Sequence, residues 1–290
     1  MKTKSHSDVT TTYIALSEFK KKTIYKKLDH IYIDINETLP EEKYVPNLKS
    51  IMFDLNVRNN IPDYKLLNDL TYYGENLPDP FKVPNLKKLR CDYVTKSYVN
   101  LEFLDCSNFY RNITLPKLET LQLRPMSLKE NMCQSCHSCK CRKHDIEIFL
   151  PETPKLKSLF INDDVCIKVY PFVYNNLSFL NWYANSYDGL PKPHIVPNLK
   201  TLYCMFNKIT IRIPHYENLE YLKIYLNNKD IIFPESENLN KLKILHIDRY
   251  IKNIPFYFNC NIHRTSYYDI NMDHRRCLIS ILNKRLIYML

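Results

Sequence analysis

Between residues 133 and 144 the sequence sets Cys133, Cys136, Cys139 and Cys141 beside His137 and His144. Thiolate and imidazole donors this close together can hold Zn²⁺ tetrahedrally, and Lys140, Arg142 and Lys143 would favour the deprotonated thiols that a metal needs. Cys133, Cys136, Cys139, Cys141 and His144 are therefore the candidate zinc ligands. The spacing is tighter than that of a paired-knuckle finger, so the choice of four among six donors stays open, and a loop of free thiols is the alternative. Two other chemistries fail on the same residues. Residues 133–137 read C-x-x-C-H, the haem-attachment pattern, but that chemistry needs an export route of which the sequence gives no sign. A ferredoxin-like run would need a fourth cysteine where Lys143 stands. The sparser pairs Cys260-x-x-His263 and His274-x-x-Cys277 are what chance yields among 10 cysteines and 9 histidines.

Other catalytic patterns are absent from the sequence: there is no Gly-rich phosphate loop, no G-x-S-x-G elbow and no H-E-x-x-H. The expectation is a protein without catalytic activity that requires no cofactor, zinc being the one ion its residues invite.

The elements that must position these residues come from a repeat. In residues 198–214, Leu199, Leu202, Cys204 and Asn207 fit the spacing L-x-x-L-x-L-x-x-N, one unit of a leucine-rich repeat. The pattern recurs at Leu28-Ile31-Ile33-Asn36, Leu48-Ile51-Phe53-Asn56, Leu67-Leu70-Tyr72, Leu86-Leu89-Cys91, Leu101-Leu104-Cys106 and Leu118-Leu121-Leu123. It resumes at Leu156-Leu159-Ile161, Leu177-Leu180-Trp182-Asn185, Leu219-Leu222-Ile224-Asn227 and Leu242-Leu245-Ile247. Proline stands two residues before the first leucine at Pro46, Pro84, Pro116, Pro154 and Pro197, which forbids a helix running through the motif. The closing x-L step has period two, so each unit reads as a short strand pairing in parallel with the next. Leading leucines advance by about 20 residues, as this architecture requires. The steps into and out of Leu101 are short, and the step of 38 from Leu118 to Leu156 leaves a cysteine-rich insertion over residues 127–147.

The expected fold is thus a β-rich, α/β-type repeat solenoid, a horseshoe with a parallel concave sheet. Residues 1–27 read as a tail and cap with a short helix around Leu16, residues 28–255 as the solenoid, and residues 256–290 as a C-terminal cap. Asn271 or Asp273 would start a helix carrying Leu278, Ile281, Leu282, Leu286 and Met289 there. Second alternations such as Ile211-x-Ile213, Ile231-x-Phe233 and Ile148-x-Leu150, each followed by proline, predict short extended segments on the convex side. Asn36, Asn56, Asn185, Asn207 and Asn227 would stack as a ladder bonding the turning backbone. Cys91, Cys106 and Cys204 fall at inward strand positions and read as small buried hydrophobes.

Composition agrees with a folded repeat protein: 290 residues, 45% hydrophobic and 25% charged, with 2 glycines and 17 prolines, so that Asn, Asp and Pro must make the turns. The abundance of Lys, Asn, Ile and Tyr looks like the product of an AT-rich genome, which weakens the net charge of +10 as a clue to nucleic acid. No run of about 18 apolar residues exists to span a membrane, and residues 1–9 are polar where a secretory leader would be apolar. With 10 cysteines, a reducing, cytoplasmic compartment is the expectation.

Residues flanking the strand leucines should line the concave face. Its first half is mixed but acid-rich, with Asp34, Asp54, Asp69, Asp92 and Asp105 beside Lys88 and Arg90; Phe160, Phe179, Tyr183, Tyr203, Tyr221, Lys223 and Tyr225, followed by His246 and Asp248, make its second half aromatic. Clustered Tyr and Phe suit a protein partner, and the acidic half argues against nucleic acid.

Residues 197–213 and 218–227 resemble the leucine-rich-repeat proteins of large DNA viruses and of protists with AT-rich genomes, over roughly residues 28–255. The resemblance implies a solenoid for protein recognition without catalysis, in the host cytoplasm if the source is viral. Some relatives carry an F-box, which makes a ubiquitin-ligase substrate adaptor an alternative, though neither residues 1–27 nor the tail shows an F-box pattern.

Overall fold

Each L-x-x-L-x-L unit buries its leucines on one side of a strand and turns sharply before the next. The computed structural model describes residues 13–19, 23–33, 38–53, 60–74, 76–109, 113–124, 148–162, 167–168, 172–183, 190–206, 211–226, 231–234, 239–248, 254 and 259–265. They fall into two units, Met1–Met126 with Pro151–Lys155, and Ser127–Leu150 with Leu156–Leu290.

In the first unit the described strands are β1 (Tyr13–Ala15), β2 (His30–Ile33), β3 (Ser50–Phe53), β4 (Asp69–Tyr72), β5 (Lys88–Val94), β6 (Phe103–Phe109) and β7 (Thr120–Leu123). Each pairs in parallel with the one before it, and Ile31, Ile51, Leu70, Leu89, Leu104 and Leu121 stand in register across them. The second unit contains β8 (Ile148–Phe149), β9 (Ser158–Asn162), β10 (Ile167–Lys168), β11 (Phe179–Tyr183), β12 (Thr201–Phe206), β13 (Ile211–Arg212), β14 (Tyr221–Leu226), β15 (Ile231–Ile232), β16 (Ile244–Asp248) and β17 (Asn261–Thr265). There β9, β11, β12, β14, β16 and β17 pair in parallel in that order, and Leu159, Leu180, Leu202, Leu222, Leu245 and Ile262 share one register. The pairs β8 with β10 and β13 with β15 form separate two-stranded ladders. The extended segments expected after the main strands are these ladders.

Both units are parallel β-solenoids. No α-helix occurs among the described residues, so the fold is a β-solenoid of leucine-rich-repeat type rather than α/β. The first unit begins earlier than expected: Tyr13–Ala15 is a strand and Leu16–Glu18 a 3₁₀ turn, where a short helix was anticipated. The sheet of the second unit likewise runs past residue 255, because Asn261–Thr265 adds a strand to β16. The helix expected within residues 271–289 lies outside the described residues. Leu101 is fully buried and β6 pairs on both sides, so the short steps around it are true repeats. β5 and β6 are nevertheless long, seven residues each, so little chain is left to return.

Three devices, in varying combination, close the repeats. The backbone N–H of the leading leucine donates to the carbonyl three residues earlier at 3.0–3.3 Å, from Leu28 to Tyr25 through Leu242 to Leu239. The residue carrying that carbonyl is itself buried, as Tyr25, Val45, Tyr64, Val83, Tyr98, Leu115, Tyr174, Val196, Tyr216 and Leu239 show. At three of the tyrosines the hydroxyl reaches back one repeat: Tyr98 donates to the Pro78 carbonyl at 2.7 Å and Tyr216 to that of Pro191 at 2.6 Å, with Tyr64 bonding Pro40 likewise. Asparagine before the leading leucine supplies the third device. Asn47, Asn85, Asn100, Asn198 and Asn218 donate Nδ2 to the carbonyls of Lys26, Lys65, Pro84, Asn175 and Pro197 at 2.6–3.0 Å. Every acceptor occupies the same place, the second residue of the preceding turn, whose carbonyl no strand can satisfy. The predicted ladder of Asn36, Asn56, Asn185, Asn207 and Asn227 lies outside the described residues.

Cys91, Cys106 and Cys204 are buried and form no disulfide, and burial pushes the Cys91 and Cys204 thiols well up. They pack as apolar groups.

Candidate interaction face

Side chains that alternate with the buried positions stand on the opposite side of the sheet. In the second unit this alternation draws one aromatic ring from each strand of the main sheet into a line. Phe160 of β9 meets Phe179 of β11 with ring centroids 4.9 Å apart, and Phe179 meets Tyr203 of β12 at 5.1 Å. Tyr203 meets Tyr221 of β14 at 5.4 Å, Tyr221 meets His246 of β16 at 5.2 Å, and His246 meets His263 of β17 at 4.6 Å. The strand spacing of about 4.8 Å sets this pitch. Register explains the path. Phe179 and Tyr221 share the column of Thr201, while Phe160, Tyr203, His246 and His263 share that of Asn181 and Lys223, so the line steps diagonally between two columns. The planes are tilted or edge-on from Phe160 to Tyr221 and stacked from Tyr221 to His263, at 24° and 16°. Each such contact contributes about 0.5–1.5 kcal/mol beyond area burial. The first five rings are half-buried and His263 is exposed.

Lys223 sits within the ladder, its ammonium 5.4 Å from the Tyr203 ring centroid and 5.0 Å from that of Tyr225. Burial, followed by the neighbouring Tyr203, pushes the Tyr221 hydroxyl up to about 12. Burial, then His263 and Lys223, lowers His246. At the starts of the strands Glu220 accepts from Lys243 at 2.5 Å and lies 3.8 Å from Lys200. The Lys243 bond holds its carboxyl below the usual range.

Two of the expected contact residues fare differently. Tyr225 is only 7% exposed and its hydroxyl is buried without a hydrogen-bond partner, so it does not present a ring to a partner. Tyr183 belongs to β11, but only its backbone is described.

The first unit carries charge in the equivalent positions, and the charge is internally matched. Arg90 donates to Asp69 at 3.1 Å and lies over the Phe103 ring at 5.3 Å. Arg124 grips Asp105 through both carboxylate oxygens, Nε on Oδ1 at 2.6 Å, and Asp105 is only 5% exposed. Asp92 is half-buried, its carboxyl raised by burial and pulled back by Arg124. The acid-rich half is therefore largely neutralised where it is described. Asp34 and Asp54 lie outside the described residues, as do Cys133, Cys136, Cys139, Cys141 and His144. Among the described residues no group of three or more His, Cys, Asp or Glu side chains is placed to hold a metal.

Sequence reasoning missed His263 as a face residue, because residues 259–265 lack the repeat's leading leucine, as the residues before Tyr13–Ala15 also do. The available signal was spacing: Ile262 follows Leu245 by 17 residues, the same step as Leu104 to Leu121.

No family model matches the sequence. A leucine-rich repeat protein of Acanthamoeba polyphaga mimivirus is 26% identical over 170 residues, covering 56% of this chain and 37% of the relative. The chain resembles the leucine-rich-repeat proteins of giant viruses. Its fold agrees with that of CroV588, described as a novel circular LRR protein, at a TM-score of 0.54 and 12% identity over 81% of this chain. The chain spans 43% of that solved chain, well under half of either relative's length. No helix among the described residues is long and apolar enough to cross a membrane.

Proposed function

We propose that this leucine-rich-repeat chain is a non-catalytic scaffold that captures a protein partner on the outward sheet face of its second unit. The observation that carries the reading is the unbroken six-ring ladder from Phe160 to His263, its first five rings half-buried and its sixth exposed. Aromatic side chains presented in one rigid row supply apolar contact area at little entropic cost, as interface anchors do. A reducing, cytoplasm-like setting suits buried cysteines that form no disulfide. The test is capture from the native cell followed by identification of the bound protein. Replacing Phe179, Tyr203 and Tyr221 together by Ala should abolish capture; a triple variant that stays folded by circular dichroism and still captures the same protein refutes the reading.

A second proposal is independent of the first. Cys133, Cys136, Cys139, Cys141 and His144 form a zinc site, on the observation that four thiols stand within residues 133–141 beside three cationic side chains. Elemental analysis of protein purified without added metal should find about one equivalent of zinc, and under about a tenth of an equivalent removes the site.

A further inference from the structure

We propose that the stacked pair His246 and His263 makes the attachment of β17 sensitive to pH, so that acidification opens this strand while the sheet before it stays paired. The opening does not depend on what the face captures. Little apolar burial holds β17. Strands β9, β11, β12, β14 and β16 each sink a leucine into one register column, and Leu159, Leu180, Leu202, Leu222 and Leu245 are at most 2% exposed. β17 continues that column with Ile262, which is 41% exposed. In the next inward column, where Ile247 is fully buried, β17 carries the exposed Arg264. The described contacts that hold β17 are the parallel ladder to Ile244–Asp248, the bond from the Asn261 N–H to the Lys243 carbonyl at 2.9 Å, and the histidine stack. A segment with so little buried apolar surface lies at the low end of local stability.

The stack turns this weak attachment into a titratable one. Its centroid distance of 4.6 Å is the shortest in the ring ladder, and its planes lie 16° apart. Imidazole changes charge between pH 5 and 8. Neutral rings attract across this contact, whereas two imidazolium rings at the same distance repel, and opening β17 relieves the repulsion. The described side chains facing His246 are Tyr221 and Lys223 of β14 and His263 of β17, and Arg264 adds a cation beside His263. Among the described side chains no carboxylate is in register or ring contact with either histidine; Asp248, two residues along β16, is described in its backbone only. Burial, then His263 and Lys223, favours neutral His246 in the closed form, so protons taken up as pH falls through 6.5 favour the open one. Opening withdraws the last ring from the ladder and bares the edge of β16 beside Leu245 and Ile247.

Hydrogen–deuterium exchange of the full-length chain at pH 7.5 and pH 5.0, read as protection factors corrected for the intrinsic rate at each pH, tests the opening. The amides of β17 should lose about fivefold or more of their protection at the lower pH. Those of β12 should stay at least about tenfold better protected than β17 at both pH values, which marks the opening as local. His246→Phe with His263→Phe keeps two stacking rings and removes both titrations, so the fall in β17 should disappear. If that double variant does not fold, His263→Gln, at an exposed position, should cut the fall to about half or less. Protection of β17 that holds at pH 5.0, protection equal to that of β12, or a fall of the same size in the variants overturns the proposal.

Discussion

His246 stacks on His263 with ring centroids 4.6 Å apart and planes 16° from parallel, on strands whose register sets the two directly opposite each other. The stack also rests on Tyr221, and Lys223 lies in register with His246 on the other side. Burial, then the His263 and Lys223 charges, lower the His246 pKa below its ordinary 6.5. A histidine lowered in the folded state is neutral in both states at high pH. As pH falls below 6.5, the unfolded chain takes up the proton first, so stability is lost on acidification. The melting temperature should fall between pH 7.5 and 5.5, and His246→Phe, which keeps a stacking ring and removes the titration, should reduce that fall. An equal fall in both proteins would show that His246 is not its source.

The repeat itself was legible because burial imposed it twice, in the L-x-x-L step and in the period-two step after it. Leu199, Leu202 and Cys204 are all buried for that reason. The aromatic face followed from the same alternation: once Leu202 and Cys204 point inward, Tyr203 must point outward. What the sequence concealed were relationships between repeats. Phe179 touches Tyr203 because register brings residues 24 apart to adjacent strands, and no local pattern reports that contact. Tyr225 occupies an outward position and is buried all the same, with the Lys223 ammonium 5.0 Å from its ring centroid. Asn198 and Asn207 sit in the same unit, and spacing alone favoured the second as a ladder rung. Only the turn geometry shows what Asn198 bonds.

Tyr216 offers a clean measurement of the clasp between repeats. Its buried hydroxyl donates to the Pro191 carbonyl at 2.6 Å, and proline at that place offers no N–H in exchange. Tyr216→Phe keeps the ring packed and orphans the carbonyl. The expected loss is about 1–3 kcal/mol by urea denaturation. Tyr98→Phe should cost a similar amount, since Tyr98 makes the same bond to Pro78. A loss below about 0.5 kcal/mol at both sites would mean that water replaces the hydroxyl without cost.

The Arg124–Asp105 pair contains the most buried carboxylate among the described ion pairs of the first unit, with Asp105 5% exposed and Arg124 half exposed. Arg124→Met strands a buried carboxylate. The expected cost is about 2–4 kcal/mol, towards the low end for buried pairs because solvent already screens the arginine. Asp105→Leu combined with Arg124→Met should recover most of it. The pH dependence has a definite sign. Burial raises the Asp105 carboxyl above its ordinary 3.8 even with Arg124 present, so the folded state favours the protonated acid. Removing Arg124 raises it further, and the deficit of Arg124→Met should therefore shrink as pH falls from 7 to 5. A deficit that is constant over that range would place the loss in packing instead of charge.

Asn198 tests whether the exposed asparagines hold the turns together or merely decorate them. Its Nδ2 donates to the Asn175 carbonyl at 2.8 Å, and its Oδ1 lies 3.5 Å from the Nδ2 of Asn218 in the next repeat. Asn218 in turn accepts from Lys241 at 2.7 Å, so amides and an ammonium run through three successive repeats. Asn198→Ala should cost about 0.5–1.5 kcal/mol, the net value of one such bond. Asn198→Asp separates the two ends of the amide: it keeps the acceptor towards Asn218 and sets a carboxylate against the Asn175 carbonyl. If the donor matters, Asp is at least as damaging as Ala in thermal and urea unfolding. Stability close to that of the unaltered protein in Asn198→Asp would instead put the weight on the acceptor side and on the chain of bonds leading to Lys241.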